Sequence, residues 1–314
     1  MAYHEQEYRK RLSLAQAKNA LITLIAINLV LFVILAFVQA IYYLQYNAAD
    51  SGGVTATAEF QARVLKWFTL PADMNQFISR PWTLITHMFV HIDVWHIVGN
   101  MIWLWGFGFI LQDLTGNRKI FPIYIYGALA CALAFVLSFN FFPALRPFLG
   151  GATAFGASGG VMAIAAAVTT IAPGYRVFPM LNGGIPIWII SVLYLVIDLA
   201  SIPFGNPGGH IGHLAGALAG FLYVYSFRRG YDWGGWMNRA YDWVNDLFDP
   251  EKPRKGQNIK QELFYKSGTR PYKRTANVTT QRIDEILDKI SQKGYSSLTE
   301  EERELLNRAS KEDI

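Results

Sequence analysis

A single serine stands among small residues at Gly156-Ala157-Ser158-Gly159-Gly160, at the head of an apolar, alanine-rich segment from Val161 to Ile171. Its hydroxyl is the one nucleophilic side chain of that stretch, and the flanking glycines let other backbone approach closely. Downstream, His210-Ile211-Gly212-His213-Leu214-Ala215-Gly216 again lies inside an apolar segment. A hydroxyl nucleophile and an imidazole base are the two parts that covalent hydrolysis needs. Three further histidines, His87, His91 and His96, precede or open another apolar run. Polar groups in such surroundings are costly and are kept for function or for a partner.

The elements that must hold these residues are long apolar helices. The chain has 314 residues, of which 52% are hydrophobic and 16% charged, and charge avoids most of residues 20–227. That is the profile of a multi-span membrane protein with a polar tail. The net charge of +5 does not point to nucleic acid, because the basic residues sit at span ends and in the tail. The lone Cys131 excludes an internal disulfide or a thiolate metal cluster and is expected to pack as a small apolar residue.

Six apolar runs are expected to span a bilayer: 20–44, 94–114, 121–142, 155–172, 186–202 and 209–227. The first is too long for the apolar core of a signal peptide and reads as a retained anchor. Basic residues before the first span, at Arg118-Lys119, at Arg176 and at Arg228-Arg229 put both termini in the cytoplasm. The expected domains are a cytosolic segment at 1–19, a six-span catalytic domain at 20–228, a juxtamembrane helix and linker at 229–280, and a cytosolic helical hairpin at 281–314. In the hairpin, Ile283, Ile286, Leu287 and Ile290 follow a helical period, Gly294 ends the first helix and Ser297 begins the cap of the second. The first outer loop, about 46–93, is dense in aromatic residues such as Phe60, Trp67, Phe68 and Trp82 and is expected to lie in the membrane interface.

This topology brings the chemistry together. Spans four and six both run inward, so Ser158 and His213 each lie roughly 5 Å below the outer boundary at a rise of about 1.5 Å per residue. Asp93 can cap span two, which puts His96 in its first turn and Asn100 four residues deeper on the same face. Glycines at 212, 216 and 220, and at 156 and 160, form small-residue stripes that let spans four and six approach closely.

The chain resembles the rhomboid intramembrane serine proteases over about residues 60–228. The resemblance rests on Gly156-Ala157-Ser158-Gly159, on His213-Leu214-Ala215-Gly216, and on His91-x4-His96-x3-Asn100, in that family's order. It implies an all-α, six-span membrane bundle and hydrolysis of peptide bonds in single-span membrane proteins near their outer end. It implies Ser158 as nucleophile, His213 as general base and then general acid, and His96 and Asn100 as oxyanion donors with the Ser158 backbone N–H. Gly156 and Gly159 would shape the site, and His91 would hold the outer loop against span two. No cofactor or metal is implied, and the partners are membrane-protein substrates and the bilayer, in the bacterial cytoplasmic membrane.

Three positions depart from the family pattern. Met162 stands where a tyrosine often stacks on the histidine, Gln112 where an acid is common, and Arg80-Pro81-Trp82 replaces a Trp-Arg pair. Asp198 lies within span five near its outer end; a structural hydrogen bond or contact with interfacial water is expected there ahead of a third catalytic role, since the resemblance implies a Ser–His pair without an acidic member. Substrate is expected to enter past span five, into a polar cavity between spans two, four, five and six. Two other readings compete: a metal site using the His87-x3-His91 spacing, which lacks an accompanying glutamate, and a non-catalytic rhomboid-like protein that binds membrane clients.

Overall fold

The computed structural model describes residues 19–45, 54–178, 180, 183–247 and 280–310. The basic segment at 1–18 and most of the expected linker, 250–279, lie outside these. The chain divides into two compact units, Met1–Asp249 and Pro250–Ile314.

In the first unit α1 (Ala20–Gln45) leads into a region of short elements: α2 (Val54–Arg63), a 3-10 turn at Leu65–Trp67, β1 (Leu70–Pro71), α3 (Met74–Ser79), α4 (Thr83–Thr86) and a 3-10 turn at His87–Phe89. Then come α5 (Val94–Thr115), α6 (Ile120–Phe141), β2 (Thr153–Ala154), α7 (Ser158–Ile171), a β3–β4 hairpin (Arg176–Val177 with Ile185–Pro186), α8 (Ile187–Ser201), α9 (Pro207–Arg228) and α10 (Gly235–Leu247). Among the described residues, three helices are long and apolar enough to cross a membrane, Ala20–Gln45, Val94–Thr115 and Asn117–Phe141. The apolar α7 and α8 are shorter.

Helix α7 is the hub, packed against α5, α6, α8 and α9. Its small residues allow this. A side chain at Gly160 would run into the Tyr124 ring of α6, one at Gly216 of α9 into the Gly159 carbonyl, and one at Gly220 into the Ala163 carbonyl. Backbone therefore meets backbone across the α7–α9 contact, as small-residue helix interfaces permit. By contrast α8 buries only Ile187, Ser191 and Asp198.

Local chemistry fixes the ends. Asp93 caps α5 by accepting from the His96 amide at 2.8 Å, and Gly116 at φ +76° ends the same helix. A buried amide knot ties α1 to the far end of α5: Gln112 Nε2 donates to Asn19 Oδ1 and Asn117 Oδ1, both at 3.1 Å. Gln112 thus hydrogen-bonds to neutral partners where a carboxylate would need donors. Between α1 and α5, Phe60 and Leu65 join Leu35 and Val90 in a small core, while Trp67 and Trp82 stack at the surface with centroids 6.0 Å apart. Arg80 donates to Gln76 Oε1 at 2.8 Å and Trp82 Nε1 to the Trp67 carbonyl at 2.9 Å. Pairing of β1 with β2, Leu70 opposite Ala154, carries the chain before α7 back against this region. At the start of α10, Asp232 accepts from Lys119 Nζ at 2.9 Å and Tyr223 Oη at 3.1 Å.

One boundary differs from expectation in a way that matters. The fourth apolar run was set at 155–172, but the helix starts at Ser158. Gly156 lies before it with φ +120° and gives its amide to the His87 carbonyl at 2.9 Å. Gly156 is a turn residue and not a member of a helical stripe with Gly160.

The second unit holds α11 (Thr280–Lys293) and α12 (Glu300–Ala309). Thr299, not Ser297, caps α12: Thr299 Oγ1 accepts from the Glu302 amide at 3.3 Å and Glu302 Oε2 from the Thr299 amide at 2.9 Å. This reciprocal pair satisfies two otherwise free N–H groups. Lys289 on α11 reaches Glu302 at 2.7 Å.

Candidate active site

Ser158 is the first residue of α7, and the methyl side chain of Ala157 before it cannot cap the helix. The approach to α7 is held from the other side. Gly156 donates to the His87 carbonyl, and the Ala157 amide donates to His91 Nε2 at 3.3 Å. His91 is fully buried. It touches the chain leading into Ser158 and packs edge-on against the His96 ring, with centroids 5.0 Å apart. A side chain at Gly156 would lie 2.9 Å from the His96 ring. The glycine is required both by the positive φ and by the imidazole beside it.

Asn206 caps α9, accepting from the Gly209 amide at 3.0 Å, which sets His210 and His213 in the first two turns. His213 Nε2 lies 2.7 Å from Ser158 Oγ. The contact depends on helix spacing: Cys131 of α6 sits against Gly159 and Gly212, where a side chain on either would collide with it. Cys131 is thus the small residue at which α6, α7 and α9 meet, a role the sequence left as generic packing.

The pair opens onto a cavity of about 290 Å³. Its walls include His87, His96, Ser158, His213 and Asn206, the 153–156 segment, and Cys131 and Phe135. The expected walls were the helices of spans two, four, five and six. The cavity is lined by α6 in place of α8, through Cys131 and Phe135, and α8 contributes no residue to it. The physical reason is that α8 faces away, with Trp188, Val192, Leu193, Val196 and Leu199 exposed.

His96 reaches the cavity. Asn100, one turn deeper, is buried and gives one amide hydrogen to the His96 carbonyl at 3.0 Å. His87 does not pair with His91 as a metal ligand would, since His87 Nδ1 donates to the Thr83 carbonyl at 3.0 Å while His91 faces Ala157. Met162 is buried and lies outside the cavity wall.

Asp198 lies closer to the Ser–His pair than the sequence leads one to expect. Asp198 of α8 is buried, and its Oδ1 accepts from His213 Nδ1 at 3.0 Å and from His210 Nδ1 at 2.6 Å. A structural hydrogen bond or interfacial water is the expected contact; the partners in the structure are His213 and its neighbour His210. The signal available was His210, three residues before His213 and one turn away on the same face. The ligand-type atoms of Asp198, His210 and His213 lie within 4.8 Å of one another, so a divalent metal could bind there. It would take the Nδ1 lone pair of His213 and leave Nε2 protonated, so that metal binding and proton abstraction from Ser158 exclude each other.

Residues 79–230 match the rhomboid domain family, and residues 272–312 match a family of unknown function, DUF6576. The chain is similar to the Rhomboid protease GlpG of Serratia proteamaculans, 26% identical over 52% of this chain and 53% of that one. It is similar to the mitochondrial RHOMBOID-like protein 12 of Arabidopsis thaliana, 29% identical over 47% of each. It is also similar to the Inactive rhomboid-related protein 2 of Caenorhabditis elegans, 26% identical over 64% of this chain and 55% of that one. The chain spans about half the length of these relatives. Rhomboid domain and apolar helices together make this an integral membrane protein.

Proposed function

From the premise that this chain carries a rhomboid domain over residues 79–230, we propose that it is an intramembrane serine protease acting on single-span membrane proteins. The observation that carries this reading is the 2.7 Å contact between Ser158 Oγ and His213 Nε2 in the wall of a cavity. In the proposed reaction Oγ attacks the scissile carbonyl carbon while His213 Nε2 takes its proton. The oxyanion forms in front of the uncapped start of α7, where the Ser158 N–H and the helix dipole favour negative charge. His96 adds a side-chain donor. Asn100 supports it from below and has a second amide hydrogen to offer. The C–N bond then breaks, the imidazolium returns the proton to the leaving amine, and Ser158 is left as an ester. Water, deprotonated by His213, hydrolyses that ester.

The same proposal places six helices, α1, α5, α6, α7, α8 and α9, across the bilayer. Both termini are cytosolic, the region between α1 and α5 lies in the outer interface, and the membrane is a bacterial cytoplasmic one. The exposed Trp67 and Trp82 suit the headgroup level. The sparse burial of α8 suits a helix past which a substrate enters from the lipid. A substrate helix must unwind to reach Ser158, at several kcal/mol for each backbone group left unpaired in lipid, so small or helix-weakening residues near the cut favour cleavage.

The test is reconstituted protein against a panel of single-span reporters. Ser158→Ala is expected to abolish cleavage; cleavage persisting at the wild-type rate overturns the reading. A client-binding, non-catalytic role is favoured by the similarity to an inactive relative. A serine-reactive fluorophosphonate separates the two, because a protease is labelled at Ser158 and a pure binder is not.

A further inference from the structure

The geometry points to Asp198 as a positioning residue for the general base, which makes the Ser158–His213 pair the reacting end of a three-residue hydrogen-bonded array. This rests on the protease reading above and concerns how its base is held. A carboxylate accepts hydrogen bonds and donates none. Asp198 Oδ1 lies 3.0 Å from His213 Nδ1, so the proton of a neutral His213 belongs on Nδ1. Nε2 then presents its lone pair to Ser158 Oγ at 2.7 Å, which is the tautomer that can accept the hydroxyl proton.

The same oxygen accepts from His210 Nδ1 at 2.6 Å. His210 stands edge-on to His213, rings nearly perpendicular with centroids 5.9 Å apart. Two donors thus anchor the carboxylate against α9, and the second histidine limits the swing of the first. Met162, buried beyond the cavity wall, offers no aromatic face for this purpose.

Two observations set this apart from ordinary packing. Asp198 Oδ2 is buried with no hydrogen-bond partner, a costly state for an acid whose only task is to fill space. Asp198 is also one of three buried residues on a helix otherwise turned outward, and its contacts there are the two imidazoles. When the Ser158 proton moves to Nε2, the imidazolium that forms lies against the carboxylate. Asp198 stabilises that charge without taking the proton, which leaves later with the amine.

The experiment is Asp198→Asn in the full chain, reconstituted in liposomes with a single-span reporter. The substitution keeps size but removes the charge, and its amide can donate to Nδ1 and enforce the wrong tautomer. Expected is a fall in kcat per folded molecule of about 10²–10⁴-fold, the usual contribution of a positioned base, with KM unchanged. A lowered melting temperature with kcat per folded molecule unchanged makes Asp198 merely structural and overturns the proposal. Should the variant not fold, nitrogen-15 NMR of histidine-labelled wild-type protein decides, with His213 assigned by its loss in His213→Gln. A proton on Nδ1 and none on Nε2 supports the proposal; a proton on Nε2 of the neutral ring overturns it. Wild-type protein without Ser158-dependent cleavage would sink the protease reading alone, since the tautomer is measured independently of turnover.

Discussion

Ser158 stands out in the sequence as a candidate nucleophile because a hydroxyl among glycines in an apolar run has few other uses. His213 stands out as its candidate partner because both lie just inside the same end of their helices, and the two side chains meet at 2.7 Å. Asp198 stands out less than either in the sequence, although its side chain meets His213 directly. The bond joins residues fifteen positions apart on α8 and α9, and it depends on how far α8 is rotated. Apolar periodicity says little about rotation when a helix is apolar on most sides. Gly156 was readable in kind and misplaced in structure: its motif marks the site, but its φ of +120° and its bond to His87 put it in the turn before α7. That correction yields a prediction. In Gly156→Ala the new methyl group would sit 2.9 Å from His96, and an alanine at this φ carries about 1–3 kcal/mol of strain. The expected result is a displaced His96 and a fall in kcat toward the roughly 10²–10³-fold seen when one oxyanion donor is lost. Reporter kinetics on folded protein check it, and a wild-type kcat would show that His96 does not need this glycine.

At the scale of elements, the sequence placed the ends of α5 well, because capping chemistry marks both of them. The run expected at 94–114 is α5, Val94–Thr115, bounded by the Asp93 cap and Gly116. It did worse where a helix begins in a turn without a side-chain cap, as α7 does after Ala157. The glycine stripe on α9 held the most information, because it predicts close approach and α7 is what it approaches. A methyl carbon on Gly216 would lie 2.5 Å from the Gly159 carbonyl oxygen, closer than van der Waals contact allows. The neighbour is backbone and cannot turn aside. Gly216→Ala is therefore expected to push α9 away from α7, at a cost of about 1–3 kcal/mol for overpacking. The Ser158–His213 contact spans the same two helices and has no slack at 2.7 Å. Loss of cleavage should then exceed loss of stability: a modest fall in melting temperature with a fall in kcat of about 10²-fold, the order expected of a 1 Å misplacement. Thermal unfolding and reporter cleavage on one preparation test this, and equal activity in wild type and variant would break the link between helix spacing and the reacting pair.

At the scale of the whole molecule, the chain assigns different physical regimes to its two units. The first is organised by apolar helices and backbone-to-backbone contact at glycines. The second is a short polar hairpin stabilised by a capping box and the Lys289–Glu302 pair, interactions that belong to water. Every residue proposed to act on substrate, and every residue lining the cavity, falls within Met1–Asp249. The lowest reaches of that unit have their own fastenings. Asp232 accepts from Lys119 and Tyr223, and Tyr126 Oη donates to the Trp233 carbonyl at 3.0 Å, so α10 is tied to the helices that carry the site. A cut after Asp249 leaves these bonds intact, whereas a cut after Arg229 removes Asp232 and Trp233 and strips Lys119 and Tyr223 of a shared partner. The two truncations should behave differently. Protein ending at Asp249 is expected to cleave a reporter within about twofold of the full chain, because no proposed catalytic contact is lost. Protein ending at Arg229 is expected to unfold at lower temperature, leaving Lys119 without the carboxylate that Asp232 supplies. Melting temperature and reporter cleavage measured side by side decide it. A dead enzyme ending at Asp249 would mean that the C-terminal unit takes part in catalysis.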